Sequence, residues 1–219
     1  MPAYFSTYIV LLIISAAITF SASLTARKRK APGSSTLTAL LVALSMWSAF
    51  SAAQYIQEGF AAKFFWLNVM VVPVAAVPIL FMNFILKFSG NTVWFTRRTL
   101  IAFFVFSIAF ILLQWTNSYH HLVLSSVQLV EQDGFPVLEI QRGPIYFVNL
   151  ALAYSTVTIG TLTLMREALR ASNLYRNQYR LLLLGCIIPF AFSIYSQIKY
   201  ISFSSLDISP ISFGITGVI

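Results

Sequence analysis

The sequence predicts an all-α integral membrane protein: a bundle of seven helices, N-terminus outside, with a small extracellular β-hairpin between the fourth and fifth helices. Composition is the first reason. Of 219 residues, 58% are hydrophobic and 9% are charged, whereas a soluble domain carries roughly 25% charged residues to wet its surface. Hydropathy patterning is the second, because the apolar residues gather into runs of about 20, the length that crosses a bilayer. The third is charge placement. Lys and Arg fall in short clusters between those runs, and the clusters alternate in strength along the chain.

Six complete runs read as spans: Tyr4–Leu24, Thr36–Ile56, Phe64–Phe88, Thr99–Trp115, Ile145–Met165 and Leu181–Phe203. A seventh begins at Pro210 in "SPISFGITGVI" and reads as the opening turns of a helix cut short at Ile219. The chain therefore reads as one domain, residues 1–219, with helix seven truncated and a cytoplasmic output domain missing. Pro73 and Pro78 in the third run, and Pro189 in the sixth, remove backbone donors and predict kinks. The threonines of "STVTIGTLTL" can bond to their own helix backbone and demand no cavity.

Orientation follows from the positive-inside rule. Eleven of the 14 Lys and Arg lie at one set of boundaries: Arg27 to Lys30, Lys87, Arg97, Arg98, Arg166, Arg170, Arg176 and Arg180. Only Lys63, Arg142 and Lys199 lie at the other set. This bias puts the N-terminus outside and the 166–180 loop in the cytoplasm, as expected for a multi-pass protein of the inner cell membrane. Such a protein has the lipid bilayer as its first partner. Nucleic acid is not a partner, because the net charge of +8 sits in inter-span clusters and not on a solvated binding face. Cys186 is the only cysteine, so no intramolecular disulfide forms.

The longest outer segment, Thr116 to Pro144, carries the hairpin. "VQLVEQDGFPVLEIQ" is two alternating runs around Asp133-Gly134, a strong turn signal, with Pro136 where a strand edge tolerates it. His120 and His121 precede it. A metal site wants about four ligands, with paired histidines at helical spacing, and adjacent histidines do not meet that pattern. The favoured reading makes them part of a cap in which one histidine hydrogen-bonds the hairpin backbone. No nucleophile–base–acid set is visible, so the fragment reads as neither an enzyme nor a cofactor carrier.

Polar and aromatic residues are biased toward the outer half of the bundle. Trp47, Gln54 and Tyr55 mark the second run, and Asn68 the third, roughly 6 Å deep. Trp115 ends the fourth, Tyr146, Asn149 and Tyr154 occupy the fifth, and Tyr195, Ser196 and Gln197 the sixth. Intramembrane polar groups need partners or a cavity, which points to a pocket under the hairpin. The candidate ligand-binding set is Trp47, Gln54, Asn68, Trp115, Asn149, Tyr154, Tyr195 and Gln197. Interfacial belts and interhelical hydrogen bonding are the competing explanations.

Several segments, in order and spacing, carry a family resemblance: "RKRKAPG" followed by Trp47, "FFWLN" at 64–68, "WTNSYHHL" at 115–122, "RGPIYF" at 142–147, "YRNQYRLLLLGCIIP" at 175–189 and "LDISPISFGITG" at 206–217. The chain resembles the seven-transmembrane N-terminal sensor region of bacterial histidine kinases. That resemblance implies a signal-transducing receptor that binds a small molecule or lipid, controls a cytoplasmic output through helix seven, and dimerises through the full-length protein. Related regions precede cyclic-di-nucleotide synthases, so the output class stays open. Carried over by position, Trp115, Thr116, Asn117 and His120 match the outer end of helix four. Gly143 and Pro144 match the start of helix five, and Arg176, Gln178 and Pro189 match helix six. Asp207 and Pro210 match the start of helix seven. Asn117 and His120 are expected to anchor the hairpin, and Asp207 to cap helix seven, where a carboxylate is favoured. A transporter or channel fragment is the alternative, disfavoured by the lack of a carboxylate within any complete span. A plain membrane anchor is the third reading.

Overall fold

A computed structural model describes residues 3–90, 97–170, 173–202 and 207–216. They form α1 (Ala3–Lys28), α2 (Ser34–Ile56), α3 (Phe60–Ser89), α4 (Arg97–Trp115), the short α5 (Asn117–His120), β1 (Leu124–Gln132), β2 (Phe135–Arg142), α6 (Pro144–Arg170), α7 (Asn173–Ser202) and α8 (Ser209–Thr216). Six of the helices, α1 to α4, α6 and α7, are long and apolar enough to cross a membrane, and they coincide with the six complete runs. α8 starts where the seventh run was expected, but its eight described residues are fewer than the roughly 20 a span needs. Phe203 at the end of the sixth run, and residues 217–219 of the seventh, lie outside the described residues.

Packing follows a ring. α1 packs on α2, α2 on α3, α3 on α6, α6 on α7, α7 on α8, and α8 back on α1, while α4 lies outside the ring against α3. The uncovered face of α4 is a helical stripe, Ile101, Phe104, Val105, Ile108 and Leu112, all exposed, as a surface turned to lipid must be. α3 continues through Pro73 and Pro78, and α7 through Pro189. The Ser107 hydroxyl of α4 donates to the Ala75 carbonyl, 3.3 Å away, between the two prolines of α3. Two threonines of α6 bond to their own helix, Thr156 to Leu152 O at 2.7 Å and Thr163 to Ile159 O at 2.8 Å.

α8 is held tightly although short. Ser15 of α1 donates to the Pro210 carbonyl at 2.8 Å, and Ser48 of α2 approaches the same oxygen at 3.3 Å. A Cβ on Gly214 would sit 2.6 Å from the Ser15 hydroxyl, so only glycine permits this approach of α8 to α1.

The hairpin has the predicted two-residue turn. Asp133 and Gly134 both have positive φ, 50° and 74°, the primed geometry whose twist suits antiparallel strands. Gln132 lies opposite Phe135 and Glu131 opposite Pro136. Hydrogen-bonded and non-hydrogen-bonded pairs alternate outward from such a turn, so Pro136 occupies a position that needs no amide donor.

Three contacts pin this lid to one end of the bundle. Buried Asn117 donates from Nδ2 to Leu124 O at 2.8 Å, and its Oδ1 accepts from the Val123 and Leu124 amides at 3.0 Å each. Tyr4 of α1 donates to Asp133 Oδ2 at 2.5 Å. The third is a cation that the sequence reading assigned to the outer boundary. α3 begins one turn earlier than expected, which brings Lys63 inside the helix at 1% exposure. Its Nζ donates to the Gln54 and Tyr55 carbonyls, at 3.3 and 3.4 Å, and lies 4.9 Å from the Phe135 ring centroid. Those carbonyls belong to the last turn of α2, which lacks intrahelical donors and carries the negative end of the helix dipole. One charge thus joins α2, α3 and the lid.

Asn117→Ala leaves two amides and a carbonyl without their partner and is expected to loosen the lid by about 2–4 kcal/mol. In hydrogen exchange, Val123 and Leu124 should lose protection while the interior of α2 keeps it; full protection at both would remove Asn117 from this role. Lys63→Met is expected to speed proteolysis at the Asp133–Gly134 turn about tenfold, equivalent to about 1.4 kcal/mol. Cleavage at the unmodified rate would show that the cation does not hold the lid.

Candidate functional site

A cavity of about 750 Å³ is lined by the ring helices, by α4 and by the hairpin, within the range of roughly 300–1,000 Å³ typical of small-molecule sites. Its wall is mostly aliphatic and aromatic, with Leu40, Leu44, Val74, Val77, Phe81 and Leu182 among the lining residues. Polar side chains gather at the hairpin end: Gln54, Arg142, Tyr146, Asn149, Gln197 and Asp207. Helical periodicity explains the convergence. On α6, Tyr146, Asn149, Leu150 and Ala153 recur at three- and four-residue spacing and face inward together; on α7, Ser193 and Gln197 do the same.

The polar end is partly cross-linked. The Tyr146 hydroxyl donates to Gln197 Oε1 at 2.9 Å, joining α6 to α7. One step deeper, the Tyr154 and Ser193 hydroxyls are 3.0 Å apart. The Arg142 guanidinium lies 4.0 Å from the Tyr146 ring centroid. Asp207 turns the chain into α8: its Oδ1 accepts from the Ser209 amide at 2.9 Å, and its carbonyl accepts from the Tyr8 hydroxyl of α1. One buried lining group is left over: the Ser209 hydroxyl, in a residue 1% exposed, has no hydrogen-bond partner among the described residues.

Of the eight candidate residues, Trp47, Gln54, Asn149, Tyr154 and Gln197 line the cavity, as does Asp207. Trp47 also packs on Phe213 of α8, ring centroids 5.4 Å apart. Asn68, Trp115 and Tyr195 lie elsewhere. Asn68 is buried, accepting from Gln114 Nε2 at 3.0 Å, and serves as a bridge between α3 and α4. Trp115 is 49% exposed, with its ring edge-on to Phe65 at 6.3 Å. Tyr195 is 54% exposed, because it stands two residues from both Ser193 and Gln197, on the opposite side of α7. His120 caps the loop: its Nδ1 accepts from the Leu122 amide at 3.0 Å, and its Nε2 lies 3.3 Å from the Thr116 hydroxyl. His121 ends α5 with φ of 54° and does not line the cavity.

The sequence reading missed Gln114, Arg142 and Ser209 as lining residues. Gln114, a lone amide at the end of the fourth apolar run, carried the same signal as Gln54 and was available. Arg142 was read as a boundary charge, and nothing local marks Ser209 as lacking a partner.

The family model for the N-terminal 7TM region of histidine kinase matches residues 10–219. No curated protein and no solved structure matches the chain significantly. With nearly the whole ring, the hairpin and α8 inside the matched span, the chain belongs to the family of N-terminal 7TM regions of histidine kinases.

Proposed function

We propose that this region is the receptor part of a two-component sensor. A small molecule or lipid occupies the chamber under the hairpin. α8, as the first turns of a seventh span, passes the change to a cytoplasmic output, a histidine kinase dimeric in the full-length protein. Family membership supports the membrane sensory role. The observation that carries the finer reading is a shared wall. Asp207, Ser209 and Phe213 line the cavity, and the helix they open is clamped to α1 and α2 at Pro210 and Gly214. A ligand that fits the chamber differently in two positions of α8 shifts their equilibrium by its differential affinity.

In this reading the hairpin faces outside. The basic clusters lie at the other end, where Gly33 approaches Phe84 and Phe88 and Phe88 meets Tyr179; that charge bias favours the cytoplasm. The inner half of the cavity is lined by Leu37, Leu41 and Phe84. The outer half is then the ligand chamber. The region itself carries no catalysis.

The test uses membranes bearing the natural protein that contains this region, incubated with labelled ATP. Acid-labile, base-stable phosphate on the protein is expected; its absence in folded protein would remove the kinase output. Asn149→Leu and Gln197→Leu are each expected to change the phosphorylation level about fivefold, the effect of about 1 kcal/mol on a two-state equilibrium. Unchanged levels in both variants would discard the chamber as the sensing site.

A further inference from the structure

We infer that the chamber takes an uncharged long-chain amphiphile delivered from the bilayer, its hydroxyl or carbonyl head held by Gln54, Asn149 and Ser209 and its chain lying along the apolar wall. The inference deepens the receptor reading and rests on it. Ser209 on α8 is buried, lines the cavity and lacks a hydrogen-bond partner among the described residues, and Gln54 on α2 lines the same cavity. Buried polar groups are otherwise almost always paired. Their amide and hydroxyl offer both donors and acceptors, which a neutral oxygen-bearing head satisfies. Asn149, on the facing helix α6, adds a second amide to the same end of the cavity.

Charge among the lining side chains at this end is balanced, and Lys63 behind Gln54 is already held by two carbonyls. Arg142 and Asp207 are the charged side chains among its described lining residues, and both are engaged: Asp207 with the Ser209 amide, Arg142 over the Tyr146 ring. A net-charged head meets opposite charges of equal magnitude and gains no net attraction, while losing its hydration.

The route selects an apolar body. The hairpin covers the mouth, pinned by Asn117 and Lys63. At the side, α4 and α6 both line the cavity, yet α4 packs on α3 and has no comparable packing on α6. Phe106 of α4 and Leu150 of α6 both line the cavity, and the sparse packing between their helices makes this side the proposed entry from the bilayer.

Trp47 lines the cavity and supplies the readout. Replacing Trp66, Trp94 and Trp115 by Phe leaves it as the sole tryptophan of the four. The protein, in phosphatidylcholine nanodiscs, is titrated with a bromine-labelled long-chain alcohol and with the alkane, carboxylic acid and amine of matched length. The expected result is saturable quenching by the alcohol, with the other three at least tenfold weaker. Gln54→Leu should weaken the alcohol about tenfold and leave the alkane unchanged. Asn149→Leu repeats the test from α6. Calorimetric titration of the wild-type protein gives the same ranking without the tryptophan substitutions. Non-saturable quenching equal for alcohol and alkane, or preference for the acid or amine, overturns the inference. Should the alcohol bind as expected yet leave phosphorylation of the natural protein untouched, the ligand class stands and the receptor reading falls.

Discussion

Hydrocarbon offers no partner to a backbone amide or carbonyl, and the architecture of this chain follows from that deficit. Each long apolar run becomes a helix because a helix alone pairs its backbone within one segment. The ends of those helices and the non-helical backbone between them then need partners of their own. At the hairpin end they find them in side chains: Asn117 serves two amides and a carbonyl where the loop enters β1, and Lys63 serves carbonyls in the last turn of α2. The lid is thus fastened by the same groups that complete the helix ends.

Lys63 shows how this accounting overrides simple hydropathy. A buried ammonium is costly unless it is paired or well hydrogen-bonded. Here two carbonyls at a helix C-terminus and the face of Phe135 replace its water. Because those partners come from α2 and β2, the cation sits where a displacement of the lid would meet a displacement of the helices. Asn68 and Gln114 do similar work with neutral groups between α3 and α4. Polar residues at the hairpin end therefore divide into those consumed by the scaffold and those left facing the cavity.

The residue left over matters more for function than the residue consumed. Tyr146 with Gln197, and Tyr154 with Ser193, stitch α6 to α7 and give the cavity a rigid side. Across from it, α8 is seated by serines and by the absence of a side chain at Gly214. A helix held by small groups against one wall of an occupied cavity has little slack. In the proposed reading this is how filling of the chamber reaches the seventh span.

The six long apolar helices, their order, the hairpin and its turn residues were legible in the sequence, because apolar runs of membrane length and an Asp-Gly turn are local signals that no distant contact needs to complete. Even the loop role of Asn117 was within reach. The division of the polar residues was not. Gln54, Asn149 and Gln197 face the cavity, whereas Asn68 is spent on Gln114 and Tyr195 points away from the ring; each has a local sequence much like the others. Lys63 was misplaced because one additional turn at the start of α3 moves it from a boundary into the interior. Helix rotation and helix start decide these outcomes, and both are set by packing between elements distant in sequence. Composition and periodicity determined that this chain spans a membrane, while only the closed ring of helices decided which polar groups enclose a chamber and which hold it together.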